Sequence, residues 1–128
     1  MSLPAAAQPV VFVLTADRTR SLPFYRDVLG LRLMGEDGHA ATFDLGNRTP
    51  LRLTDLPGHS GAPHTVLGWH VADLRGTIAA LKAKGVEPKI YDGFGQDTDG
   101  VWTSPDGGAS IVWFADPDGN ILSLTQLG

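Results

Sequence analysis

Cysteine is absent from this chain of 128 residues, which excludes disulfides, thiolate metal sites and thiol nucleophiles. Positive charge is also scarce, and the formal net charge of −4 leaves no basic surface of the kind that binds nucleic acid or anionic membranes. No apolar run approaches the roughly 18 residues of a membrane span, and the N-terminus lacks the pattern of a signal peptide. We therefore expect a cytoplasmic protein without nucleic-acid or membrane partners.

The composition that remains is that of an ordinary globular domain. Hydrophobic residues make up 42% of the chain and charged residues 19%, which is typical of a folded protein. The length fits one domain that can bury a sizeable core. We therefore treat residues 1–128 as a single domain.

The chain contains an internal repeat. Two apolar runs that end in an aspartate, residues 10–17 and 66–73, are each followed by a helical pattern that stops near a glycine. The pattern predicts two βαβββ modules, at about 8–56 and about 65–127, joined by a Pro/Gly-rich linker at 56–64. The predicted helices span about 19–29 and 74–84, and Asp17 and Asp73 are expected to cap them. The predicted strands are 9–15, 31–35, 40–45, 50–55, 65–71, 86–91, 109–115 and 121–126.

A glycine-rich loop at 92–108 interrupts the second module and has no counterpart in the first. It carries Phe94 and Trp102. Long loops in compact domains are usually functional or disordered, and core packing is a poor first explanation for aromatics among glycines. We expect this loop to cover a ligand cavity.

Two motifs resemble the vicinal oxygen chelate superfamily, which includes glyoxalase I, bleomycin-resistance proteins and extradiol dioxygenases. They are Ser21-Leu22-Pro23-Phe24-Tyr25-Arg26-Asp27-Val28-Leu29-Gly30-Leu31 and Asp116-Pro117-Asp118-Gly119-Asn120. The resemblance implies an α+β fold in which tandem βαβββ modules form curved mixed sheets around a cavity, and it implies a homodimer. Both motifs are first of all structural, the first as an amphipathic helix and the second as a turn.

Strand alternation predicts which side chains face the cavity. The helices should take the other set, for example Val11 and Val13 in the first strand and Leu122 and Leu124 in the last. The residues expected on the cavity side are Val10, Phe12, Leu14, Arg52, Thr54, Val66, Gly68, His70, Ile121, Ser123 and Thr125. This surface is mainly apolar, with Arg52 and His70 as its conspicuous polar groups.

The resemblance also places four metal-ligand positions on this chain, at Val10, Arg52, Val66 and Ser123. Metal-dependent relatives carry His, Glu or Gln there, and none of these four residues is such a ligand. A two-residue shift in register would instead bring His64 or His70 into the set. We predict no metal and no cofactor, which argues against glyoxalase I or extradiol dioxygenase activity.

The sequence therefore favours metal-independent binding of an apolar or aromatic small molecule. The predicted ligand contacts are Phe12, Leu14, Arg52, His70, Phe94, Trp102 and Ser123. Arg52 could clamp an anionic group, and His70 could exchange a proton near neutral pH. The alternatives are structural roles, an ion pair at a subunit interface for Arg52 and a hydrogen-bonded position in a pocket wall for His70. The alternative functions are a metal-dependent lyase or dioxygenase and a cofactor-free isomerase or lyase that uses His70 and Arg52.

Overall fold

Each half of the chain folds into the same series of elements, a strand, a short helix and three further strands. In the computed structural model, which describes residues 2–128, the chain divides into two units between Ser60 and Gly61. Each unit contains one four-stranded mixed sheet. This architecture confirms the predicted α+β fold with two βαβββ modules.

The first unit orders its strands β1-β4-β3-β2. Its elements are β1 (Val11–Thr15), α1 (Arg18–Pro23), a π-helical turn (Phe24–Val28), β2 (Arg32–Glu36), β3 (Ala40–Asp44) and β4 (Pro50–Asp55). β1 runs parallel to β4, whereas β3 is antiparallel to both of its neighbours. The Asp17 carboxylate caps α1 by accepting a hydrogen bond from the backbone N–H of Thr19 at 3.1 Å, as predicted.

The second unit repeats this topology in the order β5-β8-β7-β6. Its elements are β5 (Thr65–His70), α2 (Leu74–Ala83), β6 (Trp102–Thr103), β7 (Ala109–Ala115) and β8 (Ile121–Leu127). Asp73 caps α2 through the backbone N–H of Gly76 at 3.0 Å. Among residues 2–128, no helix is both long and apolar enough to cross a membrane.

One face of each sheet is buried, because strand side chains alternate between faces. In β1, Val13 is 2% exposed while its neighbour Phe12 is 59% exposed. Leu51 and Leu53 of β4 are fully buried, and in β8 Leu122 and Leu124 are buried as well. The alternation therefore matches the predicted faces in these strands and leaves the other face of each sheet available. Ile121, which was expected on the cavity side, is instead buried, and the pairing of β5 with β8 shifts register between Thr65 and Leu67, so the expected alternation is broken at Val66.

The first helix differs from the continuous α-helix predicted at 19–29. After Pro23 the chain widens into the π-helical turn, in which the Leu29 N–H donates to the Phe24 carbonyl at 2.9 Å. Proline has no N–H to donate to the carbonyl four residues earlier, so the regular α-helical ladder is already broken at this point. Tyr25 is nevertheless fully buried, so the turn still delivers its aromatic ring to the core.

The predicted strand at 86–91 is wrong. Only an isolated bridge between Pro88 and Phe114 forms there, and the edge strand of the second sheet is instead β6, within the segment predicted to be a loop. Pro88 cannot donate a ladder hydrogen bond. Downstream, the side chain of Gln96 bonds the Tyr91 N–H and the Lys89 carbonyl, so these backbone groups are not available to a neighbouring strand.

Replacement of Arg48 by glycine is expected to stabilise the protein. The hairpin between β3 and β4 turns at Asn47 and Arg48, whose φ angles are 50° and 60°, and the Thr49 N–H closes it on the Gly46 carbonyl at 2.9 Å. This is the type I′ geometry that favours Asn-Gly. Relief of strain at Arg48, less the entropy cost of glycine, should raise the free energy of unfolding by about 0.5–1 kcal/mol. Urea unfolding measures this change; Arg48→Ala, which keeps the Cβ atom, should give no gain.

Candidate functional site

The available face of the first sheet carries a row of side chains from three strands. Strand register places Phe12 beside Arg52 and Arg52 beside Thr42, and residues in register point to the same face. Leu14 and Thr54 form the next row. The predicted contacts Phe12, Leu14 and Arg52 therefore share one face of the first unit.

Arg52 is held by its own unit. Its Nη2 donates to Oδ2 of Asp37 at 3.0 Å, and its Nη1 donates to Oγ1 of Thr42 at 3.2 Å. Asp37 also accepts backbone N–H bonds from His39 at 2.7 Å and Ala40 at 3.0 Å. The His39 bond, followed by those from Arg52 and Ala40, lowers the pKa of Asp37 to about 2. A ligand anion at Arg52 would have to compete with this carboxylate.

The available face of the second sheet combines polar and aromatic side chains. One row joins Gly68, Ser123 and Trp113, and the next joins His70, Thr125, Ile111 and Trp102. His70 is exposed and Ser123 is partly exposed. Within the described chain, neither the His70 imidazole nor the Ser123 hydroxyl has a hydrogen-bond partner. Both groups are therefore able to bind a ligand without first breaking a contact.

Four aromatic rings meet on this face, and we call them the aromatic cluster: Tyr91, Phe94, Trp102 and Trp113. The Trp113 ring centroid lies 5.6 Å from that of Tyr91, 6.0 Å from that of Phe94 and 6.5 Å from that of Trp102. The planes of Tyr91 and Phe94 are nearly perpendicular to that of Trp113. Trp113 is the member that contacts all the others.

The structure brings together the two predicted loop aromatics, Phe94 and Trp102, through Trp113. Phe114, the neighbour of Trp113 in β7, is 2% exposed and belongs to the core. Tyr91 was missed because it lies in the segment predicted as a strand. Its position directly before the glycine-rich loop is the only sequence signal that could have drawn attention to it.

Ion pairs fasten the glycine-rich loop to α2. Arg75 donates to Asp97 at 2.7 Å and to Asp99 at 2.9 Å, and Lys82 donates to Asp99 at 3.1 Å. The hydrogen bond from Arg75 is the main cause of a lowered pKa at Asp97, and that from Lys82 is the main cause at Asp99. Both carboxylates therefore stay charged at neutral pH and keep this end of the loop attached to the helix.

The protein is expected to lose stability in acid over the pH range in which its carboxyl groups take up protons. The hydrogen bond from Arg18 lowers the pKa of Asp55, and that of Asp37 falls to about 2 from an ordinary value of about 3.8. Because the folded pKa lies below the unfolded one, the stabilisation is complete above about pH 5 and disappears as the pH falls through the folded values. Melting temperatures should therefore drop steeply from about pH 4 to about pH 2. Asp37→Asn should flatten part of this dependence; an equally steep profile in that variant would contradict the assignment.

The Asp-Pro-Asp-Gly-Asn segment is a structural turn, as its composition predicts. Oδ1 of Asp116 accepts the backbone N–H groups of Asp118 and Asn120, both at 2.9 Å, and Oδ2 accepts the Asn120 side-chain amide at 2.8 Å. Asp116, Asp118 and Asn120 are all buried. The side chains of Asp116 and Asn120 therefore organise the turn.

The four residues that the resemblance places at metal-ligand positions, Val10, Arg52, Val66 and Ser123, have side chains that do not fit a divalent ion. Val10 and Val66 have no lone pair, and Arg52 is a cation already paired with Asp37. Only the Ser123 hydroxyl could donate an oxygen, and alone it is a poor ligand for a transition metal. Among residues 2–128, no three His, Cys, Asp or Glu side chains come together in a way that could hold a metal ion.

Comparisons with known proteins agree with this fold. A family model described as the Glyoxalase/Bleomycin resistance protein/Dioxygenase superfamily matches residues 7–124. A search of curated proteins finds no match.

Several solved structures are similar over nearly the whole chain. Lactoylglutathione lyase from Agrobacterium tumefaciens is 22% identical with a TM-score of 0.71, covering 96% of this chain and 95% of its own. A glyoxalase family protein from Bacillus anthracis is 14% identical with a TM-score of 0.75 and full coverage of both chains, 100% each. The fosfomycin resistance protein FosX from Listeria monocytogenes is 12% identical with a TM-score of 0.73, covering 98% of this chain and 96% of its own. At these identities the likeness concerns the fold alone.

Proposed function

This chain belongs to the Glyoxalase/Bleomycin resistance protein/Dioxygenase superfamily, and from that premise we propose that it binds an apolar or aromatic small molecule without a metal ion. The aromatic cluster carries the proposal, because it lies on an available sheet face beside the unpaired His70 and Ser123 side chains. Apolar walls with a few polar anchors are typical of small-molecule sites.

The chemistry of this face indicates a planar ligand. Aromatic side chains provide large contact areas and prefer offset or edge-to-face partners, and Trp113 stands at the centre of the cluster. Ser123 is next to Trp113 in the strand register, and His70 is one row away. A ring packed against Trp113 could thus direct a polar substituent toward either group. The predicted contacts of Phe12, Leu14 and Arg52 lie on the first unit and stay predictions.

The experiment is a calorimetric titration in EDTA with 2-naphthol and quinoline, which are planar and uncharged. We expect saturable binding of the planar compounds that EDTA does not weaken, and no binding of cyclohexanol, which has a hydroxyl but no aromatic ring. Binding that requires an added divalent ion would overturn the metal-independent proposal. Equal binding of cyclohexanol would overturn the role of the aromatic rings.

One alternative function has a specific observation in its favour. The unpaired imidazole of His70 could act as a general base in a cofactor-free isomerase or lyase. In such a reaction Arg52 would stabilise an enolate intermediate. This role is disfavoured because Asp37 already neutralises the Arg52 cation. His70→Ala separates the two functions: loss of turnover with retained affinity favours an enzyme, whereas a change in affinity alone favours a binding protein.

A homodimer is part of the proposal. Val10, directly before β1, and Phe12, near its start, are apolar side chains that are about half exposed, and exposed apolar surface often marks an interaction site. Size-exclusion chromatography with light scattering should give twice the chain mass, and Phe12→Asp should shift it toward the monomer. A wild-type monomer at high concentration would exclude this assembly.

A further inference from the structure

The turn that opens the glycine-rich loop, which we call the loop tip, carries one aromatic residue, Phe94, between two glycines. Gly93 and Gly95 flank Phe94 and have φ angles of 84° and 70°, a conformation that side-chain-bearing residues rarely adopt. The Phe94 N–H donates to the Tyr91 carbonyl at 3.2 Å, and the Phe94 ring contacts those of Tyr91 and Trp113 at 5.4 and 6.0 Å. The position of Phe94 therefore depends on how the ends of this short turn are held.

Gln96 holds both ends of the turn through its side-chain amide. Its Oε1 accepts the backbone N–H of Tyr91 at 2.7 Å, and its Nε2 donates to the carbonyls of Lys89 at 2.8 Å and Gly100 at 2.7 Å. The amide thus joins backbone groups at three places: before the turn (Lys89), at its first residue (Tyr91) and after it (Gly100). Only Asn and Gln side chains combine an acceptor with two donors on one neutral group, and Gln has the greater reach.

A second fastening lies just beyond Gln96. Oδ1 of Asp97 accepts the backbone N–H groups of Asp99 and Val101, both at 2.9 Å, while its Oδ2 pairs with Arg75. This network ties the loop to α2, but it makes no contact with Tyr91 or with the chain before it. Gln96 is the loop side chain that hydrogen-bonds the segment carrying Tyr91, in addition to the backbone bond from the Phe94 N–H to the Tyr91 carbonyl.

We propose that Gln96 is a positioning residue of the ligand site: its amide fixes the span of the loop tip so that Phe94 and Tyr91 stand against Trp113. The inference rests on the proposed function. Gln96 touches no ligand in this scheme and acts through Phe94. Loss of its hydrogen bonds should make the loop tip mobile. Ligand binding would then have to order Phe94, and the entropy lost in doing so would weaken the affinity.

The test compares Gln96→Met with Gln126→Met. Methionine keeps the length of glutamine but removes its hydrogen bonds. Gln126 is a matched control because its Oε1 also accepts a backbone N–H of the same unit, that of Leu74 at 2.8 Å, but far from the loop in sequence and at the start of α2. Near-ultraviolet circular dichroism reports on the packing of the aromatic cluster, and calorimetry gives the Kd for 2-naphthol.

We expect Gln96→Met to lose near-ultraviolet dichroism and to weaken 2-naphthol binding about tenfold, equivalent to about 1.4 kcal/mol. Gln126→Met should lower the melting temperature without either change. Gln96→Glu should resemble Gln96→Met at neutral pH, because a carboxylate cannot donate to the two carbonyls. A merely structural role for Gln96 would instead give parallel losses of stability in both methionine variants and unchanged dichroism.

A double-mutant cycle with Phe94→Ala tests whether Gln96 acts through Phe94. The effect of Gln96→Met on the Kd should vanish in the Phe94→Ala background. A tenfold effect that persists there overturns the proposal. If the wild-type protein binds neither planar probe, the proposed function fails, and the dichroism comparison still decides whether Gln96 positions the aromatic cluster.

Discussion

Trp113→Ala should weaken the binding of 2-naphthol about a hundredfold, the effect typical of a central aromatic hot spot. Trp113 is the one ring in contact with Tyr91, Phe94 and Trp102. Its removal takes away contact area for the ligand and also the surface on which the other three rings rest. Calorimetric titration in EDTA measures the change.

Two variants control this experiment. Trp113→Phe keeps a ring at the centre of the aromatic cluster and should weaken binding far less than alanine. Trp69→Phe alters a tryptophan that pairs with Leu124 in the strand register, on the opposite face from His70, and should leave the Kd unchanged. An affinity of Trp113→Ala within about twofold of wild type, less than 0.5 kcal/mol, would place the ligand elsewhere.

Strand alternation explains why much of this face could be predicted from sequence. A strand side chain has only two possible directions, and burial of leucine and valine decides between them. Once Leu122 and Leu124 are assigned to the core, Ser123 must point the other way. The same reasoning places Phe12, Arg52 and His70 on the face opposite the core, because it depends on neighbouring residues alone.

Strand alternation could not predict contacts between segments that are far apart in the sequence. The ion pair between Arg52 and Asp37 depends on where the turn between β2 and β3 brings a carboxylate, and strand periodicity says nothing about that. The loss of the strand at 86–91 has a similar origin. Its apolar pattern is compatible with a strand, but Pro88 lacks a donor, and the amide of Gln96, several residues later, takes the Tyr91 N–H and the Lys89 carbonyl.

The turn at 116–120 shows how a family motif can be structural and still restrict the sequence elsewhere. Asp116 organises this turn through three hydrogen bonds, and the Asp118 carbonyl accepts the Gly61 N–H at 2.9 Å. Gly61 lies in the segment predicted to be a linker. Its backbone is thus docked on the turn, and the absence of a side chain there has a steric reason.

Gly61→Ala is expected to destabilise the protein by about 2–3 kcal/mol, the usual cost of forcing an extra group into a packed site together with a lost hydrogen bond. A Cβ atom at Gly61 would stand 2.1 Å from the carbonyl carbon and oxygen of Gly119 and 2.3 Å from the nitrogen of Asn120. These are backbone atoms that cannot rotate away, so the segment must leave the turn and give up its bond to Asp118. Urea unfolding measures the difference.

Gly38→Ala is the matched control, since a Cβ atom there would meet nothing within 4 Å, and its effect should stay within about 0.5 kcal/mol. Equal stabilities of the two variants would mean that the segment around Gly61 can leave the turn at little cost, so that its docking contributes little to the second unit.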